Sequence, residues 1–111
     1  MRIEPATDAL VVVDLQHDFL PGGALAVADG DAVVAPIAAL APAFPVVVAT
    51  QDWHPPGHVS FASAHSGRRA FDTVALPQGA QELWPDHCVR GTRGPALHPG
   101  LPDAVVTLVL R

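Results

Sequence analysis

The sequence predicts an α/β fold built on a parallel sheet. Three observations lead there. Three short runs, residues 9–15 (ALVVVDL), 45–50 (PVVVAT) and 104–110 (AVVTLVL), are apolar at consecutive positions and rich in Val. That is how a parallel strand buried on both faces reads, whereas a half-exposed strand alternates. A helical repeat separates the first two runs, which makes a strand–helix–strand unit with a right-handed crossover. The third observation is chemical: Asp14 stands near the end of the first run and Asp52 just past the end of the second. In open parallel sheets ligands bind outside the carboxyl ends of the strands.

The bulk numbers fit one small globular domain, residues 1–111, or part of a larger one, with half its residues apolar and 15% charged. A net charge of −5 and the absence of any basic run give no footprint for nucleic acid. No apolar run approaches the ~20 residues that a membrane span needs. The N-terminal MRIEPATDALVVV carries Glu4 and Asp8 before a short apolar run, a poor secretory signal. A single cysteine, Cys88, cannot form an internal disulfide, so a reducing, cytoplasmic setting is expected. All six basic residues are arginines and there is no lysine.

After the first strand, residues 19–30 (FLPGGALAVADG) read as a loop punctuated by Pro21, Gly22 and Gly23. A helix is expected over residues 33–41, with Val33, Val34, Ile37 and Leu40 on one face. Pro36 would cost ~3 kcal/mol in a helix interior, which places it in the first turn, and Pro42 ends the helix. Residues 52–102 hold seven of the twelve prolines and no convincing periodicity. A loop that long is a place to look for function.

That loop opens with QDWHPPGH, residues 51–58. On an extended segment Asp52 and His54 point the same way and Trp53 the other. Pro55, Pro56 and Gly57 forbid a helix, so a tight turn brings His58 back toward His54. The stretch is either a surface turn with solvated histidines or half of a metal site. The segment WPDHC, residues 84–88, offers a further imidazole, His87. One carboxylate and three imidazoles would suit zinc, iron or manganese, with positions left for water or substrate. His17, His65 and His98 read as non-ligands. Asp14, buried at a strand end, needs a partner or a raised pKa; it is either a structural acceptor of backbone N–H groups or a general base. Cys88 reads as a small buried residue and not as a nucleophile.

These residues also carry a resemblance. VVVDLQHDFLPGGALAV, with Asp14, Gln16, Asp18, Phe19, Gly22, Gly23 and Leu25, resembles the opening of nicotinamidases, in the cysteine-hydrolase group that includes isochorismatase-like proteins. VVVATQDWHPPGHVSFASAH resembles that family's metal loop, and LWPDHCVRGTRGPALHP its Trp-Pro-x-His-Cys segment. The resemblance implies a three-layer α/β/α domain around a parallel sheet of about six strands, of which this chain would supply the first three. It implies Asp52, His54, His58 and His87 as ligands of one divalent metal that holds a pyridine nitrogen, with Phe19 and Trp84 flanking the ring. Asp14 matches the acid that takes the proton of a nucleophilic cysteine. The implied reaction is hydrolysis of nicotinamide to nicotinic acid and ammonia, in NAD salvage; pyrazinamide-like amides are related substrates.

The family pattern also needs a lysine after the third strand and a nucleophilic cysteine further on. Cys88 matches its non-catalytic cysteine. The chain therefore reads as the N-terminal part of such a domain, expected to be inactive alone and, with a sheet edge and apolar surface uncovered, prone to associate with copies of itself. Two alternatives are a non-catalytic metal-binding fragment and a metal-independent cysteine hydrolase acting on another amide or an enol ether.

Overall fold

The computed structural model describes residues 2–111. In chain order its elements are β1 (Leu10–Val12), α1 (Val34–Leu40), β2 (Val47–Thr50), β3 (Thr73–Leu76), β4 (Gly79–Glu82) and β5 (Leu108–Leu110), with short 3-10 turns between them. The three apolar runs form one parallel sheet in the order β1-β2-β5. Leu10 pairs with Val47 and Val12 with Ala49, and on the other side Val48 pairs with Leu108 and Thr50 with Leu110.

Each strand is shorter than its apolar run. β1 stops at Val12, and Asp14 then takes a φ of 49°, in the left-handed region, which turns the chain out of the sheet. β5 begins at Leu108 because Asp103–Val105 is a 3-10 turn. Between the two the Thr107 hydroxyl accepts from Val47 N–H (3.1 Å), while Thr107 N–H donates to the Val47 carbonyl (2.8 Å). The helix occupies the expected place: Pro36 lies in the first turn of α1, and the 3-10 turn Ala41–Ala43 containing Pro42 follows it. Val33 is the exception on the expected face, since it belongs to the preceding 3-10 turn and is half-exposed.

The core lies between α1 and one face of the sheet. Val12, Val47, Ala49, Ala41, Leu15, Leu20 and Leu101 are buried together, with Val34, Ile37, Phe44 and Leu97 packed against them. Burying such a side chain fully is worth roughly 1.5–3 kcal/mol. The opposite face gains nothing comparable among the described residues. Val11, Val48 and Leu108 share a row across that face, and Val11 is 56% and Leu108 49% exposed. Burial on both faces, expected from the runs, is thus realised on one face by residues 2–111.

Residues 52–102 are not structureless. β3 and β4 pair antiparallel through a two-residue turn at Pro77 and Gln78, with Gly79 at a φ of 130°. The loop is tied at its base by two isolated parallel bridges, His54 to Val89 and Phe61 to Trp84. A third bridge, antiparallel, joins Gln16 to Leu97. These three ties bring the ends of β1 and β2 and the 84–97 segment to one edge of the sheet.

Candidate metal centre

His54 N–H donates to the Cys88 carbonyl and Arg90 N–H to the His54 carbonyl, both at 2.9 Å. This pairing sets the QDWH segment beside DHCVR, so residues more than thirty positions apart become neighbours. One donor atom each from Asp52, His54 and His87 then lies within 4.8 Å of the others. Asp52 Oδ2 is 3.0 Å from His87 Nε2, and Oδ1 is 3.4 Å from His54 Nδ1. Trp53 points elsewhere, under the Arg111 guanidinium at 4.1 Å. The turn expected at Pro-Pro-Gly is present, with Gly57 at a φ of 69°, and it returns the His58 ring to 4.9 Å from that of His54. His58 stands beside the trio without joining the tight group of donor atoms. Its Nδ1 accepts Ser60 N–H at 3.3 Å and pairs with the Ser60 hydroxyl at 2.8 Å, an arrangement that leaves the proton of the neutral ring on Nε2.

The donor chemistry fits a cation. The His87 Nδ1 faces the Pro85 carbonyl at 2.8 Å. A carbonyl only accepts, so Nδ1 carries the proton and Nε2 presents a lone pair toward the Asp52 carboxylate. Two lone pairs 3.0 Å apart repel unless a proton or a metal ion sits between them. His54 Nδ1 is a buried nitrogen with no hydrogen-bond partner among the described residues, a costly state that a metal bond would resolve. Burial first, then the positive fields of His87 and His58, hold the His54 pKa below its usual value against the pull of Asp52. A neutral imidazole is the form that ligates.

The surrounding frame is aromatic and hydrogen-bonded. Phe61 is fully buried, with its ring 5.0 Å from His54, 5.5 Å from His87 and 5.9 Å from His58. Phe19 lies edge-on to His87 at 5.8 Å. Trp84 is carried on the same segment as His87, and its aromatic neighbour is Phe71, edge-on at 5.9 Å. Asp14 is half-buried and has the partner it needs. Its N–H donates to the Thr50 hydroxyl at 3.1 Å, and that hydroxyl donates to Asp14 Oδ1 at 2.5 Å. Thr50 is two residues before Asp52, so the acid is anchored to the strand that delivers the carboxylate ligand.

Of the remaining histidines, His65 pairs with the Val59 carbonyl at 2.7 Å, and His17 and His98 face each other at 5.8 Å, away from the trio's contacts. Residue types alone do not single out Phe61, Thr50 or Ser60. Only Ser60, two residues beyond His58, carried a local signal, the side-chain-to-backbone reach of a Ser turn; the other two act through long-range pairing.

Cys88 is fully buried with a φ of 48°. Burial, then the negative charges of Asp52, Asp18 and Asp14, push its thiol up to about 12 from 9.0. A thiol held so high is almost wholly protonated near neutrality. Folded protein titrated with a thiol-specific disulfide reagent at pH 8 is therefore expected to react at Cys88 far more slowly than denatured protein. Equal rates would contradict the burial described here.

The isochorismatase domain family matches residues 8–110. A nicotinamidase of Acinetobacter baylyi is 49% identical over 112 residues, covering 100% of this chain and 52% of that protein. Among solved structures, an Acinetobacter baumanii nicotinamidase/pyrazinamidase superposes with a TM-score of 0.84 at 50% identity, over 91% of this chain and 49% of that one. A pyrazinamidase of Pyrococcus horikoshii, solved in complex with zinc, superposes with a TM-score of 0.66 at 36% identity, over 90% and 49%. The chain spans about half the length of the relatives it matches.

Proposed function

This chain belongs to the isochorismatase domain family, and from that membership we propose that it carries the metal centre and the proton acceptor of a nicotinamide amidohydrolase. The observation that carries the reading is the convergence of Asp52, His54 and His87 around a buried, unpartnered His54 nitrogen. Similarity to nicotinamidases along the whole chain supports the substrate class, and a zinc complex of a relative supports the metal. His58 would complete the set through Nε2 once its proton moves to Nδ1, where the Ser60 hydroxyl can accept it. The same reading extends to zinc, iron or manganese as the ion, to NAD salvage and to a cytoplasmic setting, which suits a lone free thiol.

A bound divalent ion would supply a Lewis-acid anchor for the pyridine nitrogen of the substrate. The chain's own residues do the rest of what it contributes. Phe19 and Trp84 offer aromatic faces to a flat ring. Thr50 engages Asp14 Oδ1 and leaves Oδ2 to accept a proton from an attacking thiol. That thiol is not Cys88, which is buried and protonated, and the chain has no lysine to assist it. The covalent step therefore draws on residues outside these 111.

A chimaera tests this. Residues 1–111 are fused to the half of the Acinetobacter baylyi nicotinamidase that they do not match. Metal-dependent release of ammonia from nicotinamide is expected from the chimaera and none from the 111-residue chain alone. A chimaera that folds and holds metal yet releases no ammonia would sink the proposal. Ammonia release by the chain alone that survives Cys88→Ala would overturn the assignment of the covalent step to residues outside these 111.

A further inference from the structure

Two side chains leaving β1 grip the two segments that carry the ligands. Gln16 is buried completely. Its Oε1 accepts Asp52 N–H and its Nε2 donates to the Asp52 carbonyl, both at 2.8 Å, so the amide pairs with Asp52 as a neighbouring strand would. The same Nε2 also donates to the Pro95 carbonyl at 2.8 Å. Two residues on, Asp18 Oδ2 accepts Cys88 N–H at 2.7 Å, one peptide from His87, while Oδ1 accepts Ala24 N–H at 3.2 Å. Gly94 makes the second grip possible, because a Cβ there would lie 1.8 Å from Asp18 Oδ2.

We propose that Gln16 and Asp18 are positioning residues that set the separation of Asp52 and His87 by holding their backbones, so that the donor atoms meet a cation preorganised. The inference rests on the metal-centre reading above. A fully buried amide with all three of its bonds directed at the backbone of two loops is an expensive way to fill space, and a leucine would pack there without needing partners. What the amide adds is a fixed distance. Outer contacts of this kind orient ligands and tune metal affinity.

The test is zinc affinity of the 111-residue chain, measured by competition with a chromophoric chelator. Gln16→Glu turns the donating nitrogen into an oxygen facing two carbonyls, and Asp18→Asn removes one acceptor. Each is expected to weaken zinc binding by about 10–100-fold and to change the visible absorption of the cobalt-substituted site. Leu101→Ala, in the core and taking no part in either grip's hydrogen bonds, should lower the thermal midpoint while leaving zinc affinity and the cobalt spectrum unchanged. Should Gln16→Glu not fold, Asp18→Asn carries the same test nearly isosterically. Parent-like affinity and spectrum in the variants would overturn the inference and leave the metal centre standing. A parent chain with no measurable zinc affinity would overturn the metal centre and the inference together.

Discussion

Asp52→Ala is expected to strip the metal. Its carboxylate is the single anionic group in the trio, and its two oxygens lie 3.0 and 3.4 Å from the two imidazole nitrogens. Removing a ligand costs more than the 10–100-fold in affinity that follows loss of an outer partner. Zinc affinity should therefore fall by more than about 100-fold, or at least ~2.8 kcal/mol at 1.4 kcal/mol per decade. Metal content by elemental analysis and affinity by chelator competition both read this out. In the chimaera the same change should weaken nicotinamide binding. A variant that retained parent-like zinc affinity would mean that the acid merely buffers two structural histidines.

Asp14→Ala should behave in the opposite way. Asp14 is not among the donor atoms grouped within 4.8 Å, and its hydrogen bonds go to Thr50. Metal content should stay at the parent level. Loss of a general base costs about 10²–10⁴-fold in turnover, so ammonia release by the chimaera should fall by that factor. Alanine at a φ of 49° adds a backbone cost on the order of 1–2 kcal/mol, which lowers stability without touching chemistry. Asp14→Asn separates the two effects, since Asn tolerates the left-handed region. It should fold like the parent and be as inactive as Asp14→Ala. If either variant lost its metal, the division between a proton acceptor at 14 and ligands at 52, 54 and 87 would fail.

The three strands were legible because consecutive Val and Leu residues leave no polar face to expose. Their ends were not, because they are decided by groups far away in sequence. Thr107 looks like strand, yet its hydroxyl competes for Val47 N–H and the preceding residues close into a 3-10 turn. The hairpin was hidden for the opposite reason. Gly79, Ala80, Gln81 and Glu82 present no apolar face, and what defines the strand is its pairing with Thr73–Leu76. In the candidate site, types and local spacing picked out the residues that converge, Asp52, His54 and His87, and the turn that returns His58. They said nothing of Phe61, whose ring lies within 6 Å of three imidazoles, because nothing within a few residues of it signals burial. Nor did they separate the roles of Gln16 and Asp18 from those of an ordinary loop.

The β3–β4 hairpin sits between His58 and His87 in the chain, but the bridges Phe61–Trp84 and His54–Val89 close that excursion at its base. The clasp ties the excursion down beside the ligands, and the hairpin lies beyond it. Loop closure entropy rises only slowly with length, by about 0.6 kcal/mol per doubling. Shortening, lengthening or replacing residues 73–82 should therefore be cheap, and this stretch is where an engineer could splice in a foreign reporter.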